Sequence, residues 1–592
     1  MKKNVIYIMS VLFVGTLLMS GCNYLEPDNK KAANETAENI LGKDIESLRV
    51  YAYSLLKPIV SRVDVYEEGV DLYMASNKKS GTQFDQYTIT PENEDVKKFY
   101  ADLYSCINMA NACIFYDKEG KYVAEMKFLR SYCYFILTQQ FGAVPYITNY
   151  INNADRNYPI TGLEDIYKAL IDELIAVTND AKIADSDTKG YASKRAAYAL
   201  LAKVYLAAGW DLDVELTNEV KGQYTRKDTK YFVKALAAAK DAIDDQPLTL
   251  TFEDKWSPKF EGNAEVIFAV QYERGGFPGD IKKGGHGLQN TFGSYYGDCT
   301  GTGEKYVNGM HASNPKSSYL WEANDLRYDA TFMTTMYNSV EKGWGNEGYY
   351  AYYHLDKDAL DTTAVAMRVF PGTADVSVAT TYVATHAKEL AKGDCVNDPV
   401  VLVMSYPSLW VNGAEEEYMS YVNTNPGMFA APVVKKFDDP ESQSIATNMT
   451  NDYRDIVVLH LSDIYLVAAE AAYMADDKTA AEKYINDVRK RAYGVDAPVN
   501  FAGYTSPYAS IYSAYTTTEI DLVLDERARE LYAEGHRWMD LRRTKQLTRY
   551  TDIFNTEIAG FAQGRVKWHR PIPQAEINAN EAIKEEDVNK EY

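Results

Sequence analysis

The N-terminal segment constrains where the rest of this 592-residue chain can fold. Lys2 and Lys3 are followed by an almost wholly apolar run from Val5 to Leu18. A run of about 14 residues is shorter than the roughly 20 residues that a membrane-spanning helix requires, and it is typical of the apolar part of a secretion signal. We therefore expect residues 1–21 to be a signal peptide and the remaining chain to fold in an aqueous compartment outside the cytoplasm.

The signal ends in Met19-Ser20-Gly21-Cys22, which resembles the lipobox of bacterial lipoproteins. Cleavage before Cys22 would leave a cysteine that carries two or three acyl chains, and several chains anchor a protein stably where one does not. This pattern predicts a lipid anchor on Cys22, followed by a polar tether over residues 22–32. An ordinary signal peptide with a chance cysteine is the alternative.

The composition excludes some classes of partner and site. The formal net charge of −22 disfavours binding to the phosphate backbone of nucleic acids. Neither a Cys-x-x-C pair nor a Cys/His spacing typical of zinc sites occurs, so the sequence predicts no metal site and no cofactor. The 49 tyrosines are the outlier, because tyrosine suits amphipathic surfaces and stacks on sugar rings.

Apolar periodicity divides the mature chain into three regions. Residues 33–250 are mostly helical in pattern, with helices expected over about 99–115, 122–141, 163–181, 193–209 and 230–244. Residues 251–450 have weak periodicity and many Gly, Asn, Asp and Tyr, which predicts a loop-rich region that binds the ligand, with one strand over 265–271. Helices return over about 455–475, 478–493 and 517–546, within a C-terminal region of residues 451–592.

Three segments carry a specific resemblance. They are EMKFLRSYCYF from Glu125, which runs on to FGAVP at Pro145; DIYLVAAEA from Asp463, which runs on to INDVRKR at Arg491; and DERAREL from Asp525, followed by EGHRWMDLRR from Glu534. Cys22-Asn23-Tyr24-Leu25-Glu26 and Pro571-Ile572-Pro573 fit the same pattern. Together they resemble the SusD/RagB family of outer-membrane nutrient-binding lipoproteins, in the expected order along the whole chain.

The resemblance implies a fold and a function. The fold expected is mostly α, built on tetratricopeptide-like helix pairs (a SusD-like fold) with a large loop-rich insertion. The function implied is capture of a nutrient oligomer on the outer membrane at the cell surface, without catalysis, and its delivery to a SusC-type TonB-dependent transporter. A glycan is the ligand expected, and a peptide, as in RagB-like members, is the alternative. Asp71 and Tyr73 become ligand-binding candidates because the corresponding early loop often reaches the site in relatives.

Three acidic residues invite a catalytic interpretation. Glu526, Glu530 and Glu534 are spaced i, i+4 and i+8, and glycosidases use paired carboxylates. A secreted glycoside hydrolase is therefore the remote alternative. However, Arg527, Arg529 and Arg537 lie close in sequence, and arginine lowers carboxylate pKa values, the wrong direction for a general acid. We interpret the segment as a structural ion-pair network, with Trp538 packed beneath it.

Aromatic residues of the inserted region are the remaining ligand-binding candidates. Trp344 lies between Gly343 and Gly345, which leaves it little local core to pack into and favours an exposed stacking platform. The other candidates share a position near glycines or near a second aromatic: Tyr349, Tyr350, Tyr296 and Trp321. Packing within the inserted region is the alternative for each of them.

Overall fold

The computed structural model describes residues 44–75, 81–153, 155–273, 285–293, 311–339, 360–390, 402–424, 431–439 and 452–592. The chain forms two compact units. Among the described residues, unit 1 contains 44–59, 90–153, 155–166 and 569–592, and unit 2 contains the described parts of 60–89 and 167–568. These units join segments that are distant in sequence, so they group the chain differently from the three linear regions expected above.

Unit 1 is built on a pair of long helices, α4 (Glu94–Tyr116) and α5 (Val123–Phe141). Asn93 begins α4, because its side chain accepts hydrogen bonds from the backbone N–H groups of Asp95 and Val96. The left-handed backbone of Gly142, at φ 76°, ends α5. The elements of this unit are α1 (Ile45–Ser54), α4 (Glu94–Tyr116), α5 (Val123–Phe141), β2 (Val144–Pro145), β3 (Ile160–Thr161) and α20 (Gln574–Ala579). Helices α2 (Lys57–Val60) and α6 (Leu163–Thr178) cross the unit boundaries.

Unit 2 contains two further helix pairs and a short-helix segment. The helices are α3 (Val63–Glu67), α7 (Lys194–Asp213), α8 (Lys230–Ile243), α9 (Phe252–Trp256), α15 (Leu461–Met474), α16 (Lys478–Tyr493), α17 (Glu519–Glu530), α18 (Arg537–Arg543) and α19 (Leu547–Phe554). Helix α7 packs on α8, and α15 on α16. Gly209 permits the close approach of α7 to α8, because a Cβ there would lie 2.7 Å from the Phe232 ring.

The inserted region contains more regular structure than the sequence predicts. A five-stranded sheet has the order β12-β11-β10-β9-β8, in which only the β9–β10 pair is parallel. Register shifts between β8 and β9 interrupt the alternation of apolar and polar residues, so the sequence pattern does not predict these strands. The strands are β8 (Thr335–Ser339), β9 (Leu360–Val369), β10 (Leu402–Ser405), β11 (Ser408–Val411) and β12 (Ala414–Glu417).

The remaining helices lie in the inserted region, and the remaining strand pairs lie wholly or partly outside it. Five helices precede, separate or follow the strands of the sheet along the chain: α10 (Pro315–Leu320), α11 (Arg327–Thr331), α12 (Val376–Thr385), α13 (Ala387–Leu390) and α14 (Tyr418–Thr424). Four two-stranded pairings add β1 (Tyr73–Met74) with β7 (Ala312–Ser313), β6 (Val266–Val270) with β13 (Ile456–His460), β2 with β3, and β4 (Val214–Asn218) with β5 (Gln223–Arg226). Strand β6 confirms the strand predicted over 265–271.

Two further properties concern the membrane and the thiols. No helix in the ranges that the structure describes is long and apolar enough to cross a membrane. Cys106, Cys113 and Cys133 are buried free thiols, and each packs as a small apolar residue of the core. Two further cysteines, Cys299 and Cys395, lie outside the described residues.

Candidate functional site

Asp71 was expected to contact a ligand, and the structure assigns it another role. Its side chain is fully buried, and both carboxylate oxygens accept hydrogen bonds of 2.7 Å from Arg537. Lys316 donates a third bond of 2.5 Å. Burial would raise the pKa of Asp71, but these two cations outweigh burial and hold it well below its ordinary value. Asp71 is therefore an internal counter-ion, and its prediction as a ligand contact is wrong.

Tyr73 and Trp321 are also buried, so their prediction as ligand contacts is wrong as well. The Tyr73 hydroxyl accepts a hydrogen bond from the backbone N–H of Ala533, and its ring lies 5.4 Å from that of Tyr532. Trp321 is 0% exposed and packs 5.6 Å from Phe332 and 5.8 Å from Tyr532. Both rings pack against Tyr532. Tyr532 is more than 200 residues from each of them in sequence, so local sequence patterns do not reveal these contacts.

The other predicted site residues lie outside the residues that the structure describes. They are Cys22, Tyr296, Trp344, Tyr349 and Tyr350. Their roles stay predictions.

The acidic segment forms the expected ion-pair network, with one difference in geometry. Helix α17 ends at Glu530, and the left-handed residues Ala533 and Gly535 form a turn, so Glu534 and Trp538 do not continue one helix face. Arg327 pairs with Glu526 at 2.8 Å and with Glu530 at 3.1 Å.

Burial would raise the pKa of Glu526, but Arg327, Arg529 and Arg489 outweigh it and hold the value at about 2. Burial would also raise the pKa values of Glu530 and Glu534. Nearby cations, including Arg491 beside Glu530 and Lys436 beside Glu534, outweigh burial and hold both pKa values well below the ordinary range. These carboxylates are ionised and saturated with partners, which is the arrangement of a scaffold and not of a general acid.

A small hollow in unit 2 is a candidate ligand site among the described residues. We call it the tyrosine hollow. Its aromatic lining residues are Tyr328, Phe332, Tyr406 and Tyr418, and its polar lining residues are Ser313, Asn314, Ser317 and Ser318. None of the lining residues carries a charge. Apolar walls with a few polar groups are typical of small-molecule sites.

Three tyrosines from separate elements meet beside this hollow. Tyr406 lies in the turn between β10 and β11, Tyr418 begins α14, and Tyr319 lies on α10. The Tyr406 ring lies 5.4 Å from Tyr418 and 5.5 Å from Tyr319, both edge-on. The Tyr319 hydroxyl donates to the Tyr406 carbonyl at 3.2 Å. Tyr406 and Tyr319 remain partly exposed, so their rings are accessible from solvent.

Gly372 allows Tyr319 to occupy this position. Its backbone N–H donates to the Ser318 carbonyl at 2.8 Å, and a Cβ on Gly372 would lie 2.5 Å from Cδ2 of the Tyr319 ring. No residue with a Cβ fits there without displacing the ring. The segment after β9 is therefore shaped around Tyr319.

The polar side of the tyrosine hollow offers one open group. Asn314 is already bonded to the carbonyls of Asp71 and Phe554, and Ser317 to that of Leu72. The Ser318 hydroxyl oxygen is buried and has no hydrogen-bond partner in the part of the chain that the structure describes. A hydroxyl-bearing ligand could satisfy it.

Sequence reasoning missed Tyr406 and Tyr418. They lie 74 to 90 residues from Tyr328 and Phe332 in the chain, and no glycine-flanked aromatic cluster marks them. The signal that could have found them is the Tyr-Pro turn at 406–407 between two short β patterns.

The fold combines helix pairs, an inserted sheet and an aromatic hollow. Comparison with known families identifies the class of protein that has this fold. Residues 264–590 match the SusD family model, which is more than half of the chain. Residues 23–206 match a second SusD-like model, described as "starch-binding associating with outer membrane". The chain belongs to the SusD family.

Individual relatives agree with this assignment. SusD-like protein P38 of Formosa agariphila is 26% identical over 225 residues, which cover 36% of this chain and 42% of that protein. The matched part thus spans less than half of this relative's length.

Solved structures show the same fold. A SusD homologue of Bacteroides thetaiotaomicron has a TM-score of 0.62 at 17% identity, and the match covers 94% of this chain and 99% of that one. A structure described as a laminarin-binding SusD-like protein has a TM-score of 0.60 at 18% identity and covers 93% and 99%. The mostly α, SusD-like fold expected from the sequence is confirmed.

Proposed function

We propose that this protein is a non-catalytic surface lipoprotein that captures a glycan and delivers it to a SusC-type TonB-dependent transporter. The observation that carries the proposal is the tyrosine hollow. There the partly exposed ring of Tyr406, three buried aromatic rings and uncharged polar groups converge on a SusD-family scaffold. Tyrosine rings stack on the C–H faces of sugars, and serine and asparagine groups bind sugar hydroxyls.

The uncharged lining favours a neutral glycan over a charged one, since a charged ligand would be desolvated there without a counter-ion. A peptide would require partners for its backbone N–H and C=O groups, and the Ser318 hydroxyl alone does not supply an array of that kind. The laminarin-binding relative supports a neutral glucan as the first probe.

The lipid anchor and the outer-membrane location belong to the same proposal. Support comes from the lipobox that ends at Cys22 and from the description of the family model that matches residues 23–206. Trp344, Tyr349, Tyr350 and Tyr296 remain proposed as additional ligand contacts, on the glycine-rich pattern of their segments.

The test is calorimetric titration of the mature chain with laminarin and xyloglucan oligosaccharides. We expect Tyr406→Ala to weaken binding by about 2 kcal/mol, roughly thirtyfold, because it removes a partly exposed ring from the wall of the hollow. Phe561→Ala is the matched control: Phe561 is 72% exposed and lies outside the hollow, so its removal should leave the affinity unchanged.

Two results would count against the proposal. If Tyr406→Ala binds the active oligosaccharide as tightly as the parent protein, the tyrosine hollow is not the site, and Trp344→Ala becomes the next variant to titrate. If no neutral oligosaccharide binds but mixed peptides do, the ligand class itself is wrong.

A further inference from the structure

Cys106 and Cys133 occupy opposite positions on the helix pair of unit 1. Helices α4 and α5 pack together and are joined by the short connection 117–122, so they run antiparallel. Cys106 lies ten residues before the last residue of α4, and Cys133 lies ten residues after the first residue of α5. At a rise of about 1.5 Å per residue, both cysteines are therefore about 15 Å from the connected end of the pair.

Both thiols face the interior between the helices. Each of the two cysteines is 0% exposed, and the Cys133 thiol is close enough to the Cys106 thiol to share a side-chain hydrogen bond with it. Sγ of Cys106 also donates to the Ala52 carbonyl of α1 at 3.7 Å. Helix α1 packs on both α4 and α5, so three helices enclose the two sulfur atoms.

Cys113 shares the burial of this pair and offers a matched comparison. It is also 0% exposed and lies on the same helix, three residues before the end of α4. The opposite position on α5, three residues after its start, is Met126. The antiparallel pairing therefore places a second thiol opposite Cys106 but a thioether opposite Cys113.

The expected compartment favours oxidation of two adjacent thiols. Residues 1–21 predict export, and exported proteins form disulfides that cytoplasmic proteins do not. The reactive form in thiol–disulfide exchange is the thiolate. Burial, together with the neighbouring Cys106 thiol, raises the pKa of the Cys133 thiol, so exchange is slow once the helix pair has closed. We therefore expect oxidation to take place while the exported chain folds.

We propose that Cys106 and Cys133 form a disulfide bond in the exported protein, which links α4 to α5. The oxidant is another disulfide, either a small molecule or a protein. One cysteine thiolate attacks it and releases a thiol, and the second cysteine then attacks the mixed disulfide and releases the other thiol. Two S–H groups become one S–S bond, and their two protons and two electrons convert the oxidant into two thiols. The inference rests on export and does not depend on glycan capture.

The experiment is mass spectrometry of the full-length protein from cells that export it, with free thiols blocked by iodoacetamide in denaturant before purification. Trypsin leaves Cys106 and Cys113 together in the peptide 99–118 and Cys133 in the peptide 131–156. We expect these two peptides to be joined without reductant and separated after reduction. The same link in Cys113→Ala identifies Cys106 as the partner, because the first peptide then contains one cysteine.

The bond should also have a measurable effect on stability. A cross-link that closes the loop 107–132 restricts the unfolded chain. Refolding in reductant should therefore lower the melting temperature of the parent and of Cys113→Ala by a few °C. It should leave the melting temperatures of Cys106→Ala and Cys133→Ala unchanged. As a compartment control, a chain that lacks residues 1–21 and stays in the cytoplasm should have both thiols alkylated.

Three results would overturn the proposal. The first is alkylation of Cys106 and Cys133 in the unreduced exported protein. The second is loss of the link in Cys113→Ala, which would make Cys113 the partner. The third is an equal effect of reductant on the melting temperatures of the parent and of Cys106→Ala. Loss of oligosaccharide binding with the link intact would contradict only the proposed function.

Discussion

Glu67 shows how strongly burial controls a single side chain in this fold. It ends helix α3, is 1% exposed, and accepts one hydrogen bond from the backbone N–H of Gly535. Its second oxygen, Oε2, has no partner among the described residues. Burial raises the pKa of Glu67 to about 8, although Lys436 and Arg537 act in the opposite direction and Asp540 adds to the rise.

This shift predicts a pH dependence with a defined sign. The folded-state pKa of about 8 exceeds the ordinary value of 4.5, so the protonated carboxyl is favoured by folding. Its contribution to stability is complete below about pH 4.5 and is lost as the pH rises towards 8. Glu67→Gln keeps an acceptor for Gly535 and cannot ionise, so its free energy of unfolding should rise relative to the parent between pH 5 and pH 9. Urea denaturation at both values measures this difference, and the exposed Glu416→Gln should show no such trend. A constant difference across the range would contradict the assignment.

Trp538 tests packing at one residue. Its side chain is 0% exposed on helix α18, which confirms the prediction that it is a packed ring. Truncation leaves a large cavity, so Trp538→Ala should lower the free energy of unfolding by about 3–5 kcal/mol. Chemical denaturation provides the measurement, and Phe561→Ala, at an exposed position, should have a small effect. An unchanged stability together with lost oligosaccharide binding would instead make Trp538 a ligand contact.

At the scale of helices, α17 buries an ion-pair network beside its apolar residues, such as Leu522 and Leu524. Arg327 is fully buried and contacts three carboxylates, at 2.7 Å from Asp325, 2.8 Å from Glu526 and 3.1 Å from Glu530. Arg327 is the only cation among the described residues that pairs with all three carboxylates. Arg327→Met should lower the free energy of unfolding by about 3–5 kcal/mol, the typical cost of breaking a buried ion pair. Lys483→Met is the control, because its i,i+4 pair with Asp487 is exposed and worth less than about 1 kcal/mol.

The same network predicts sensitivity to acid. The folded-state pKa of Glu526, about 2, lies below its ordinary value of 4.5, so its contribution is present above about pH 4.5 and is lost as the pH falls towards 2. Arg327→Met should shift the midpoint of acid unfolding, followed by circular dichroism, to higher pH. If parent and variant unfold at the same pH, Arg327 does not hold these carboxylates ionised.

Individual elements show what the sequence predicts and what it does not. The helix expected over 122–141 is observed as Val123–Phe141, because its long apolar repeat and Gly142 are local signals. The inserted sheet was not predicted, since its strands are short and one pair contains register shifts. The tyrosine hollow was not predicted for a related reason. Tyr406 and Tyr418 come close to Tyr328 only in the tertiary fold. Asp71 looked available to a ligand because its partners, Lys316 and Arg537, are hundreds of residues away.

For the whole molecule, the first question is how it is held at a membrane. The described residues contain no helix able to span one. The lipobox pattern that ends at Cys22 predicts an anchor of acyl chains on that residue. Cys22→Ala removes the acylation site, so the variant should be soluble, and mass spectrometry should detect no acyl chains. Fractionation of cells that lack the transporter isolates this effect. If the variant still sediments with the outer membrane, the lipid anchor is not what retains the protein.

The second question at this scale is the partner, and the prediction rests on family membership. A protein that delivers its ligand to a channel must cover the channel mouth, which requires an interface above about 1,200 Å² in total. We expect the native protein, extracted in mild detergent, to co-purify with a large TonB-dependent barrel encoded beside it. Cys22→Ala isolates the protein–protein contribution, because a contact of that size should persist without the lipid anchor. Recovery of free monomer alone from native cells, with the neighbouring barrel expressed, would contradict the delivery step and leave ligand capture at the tyrosine hollow to be judged by its own titration.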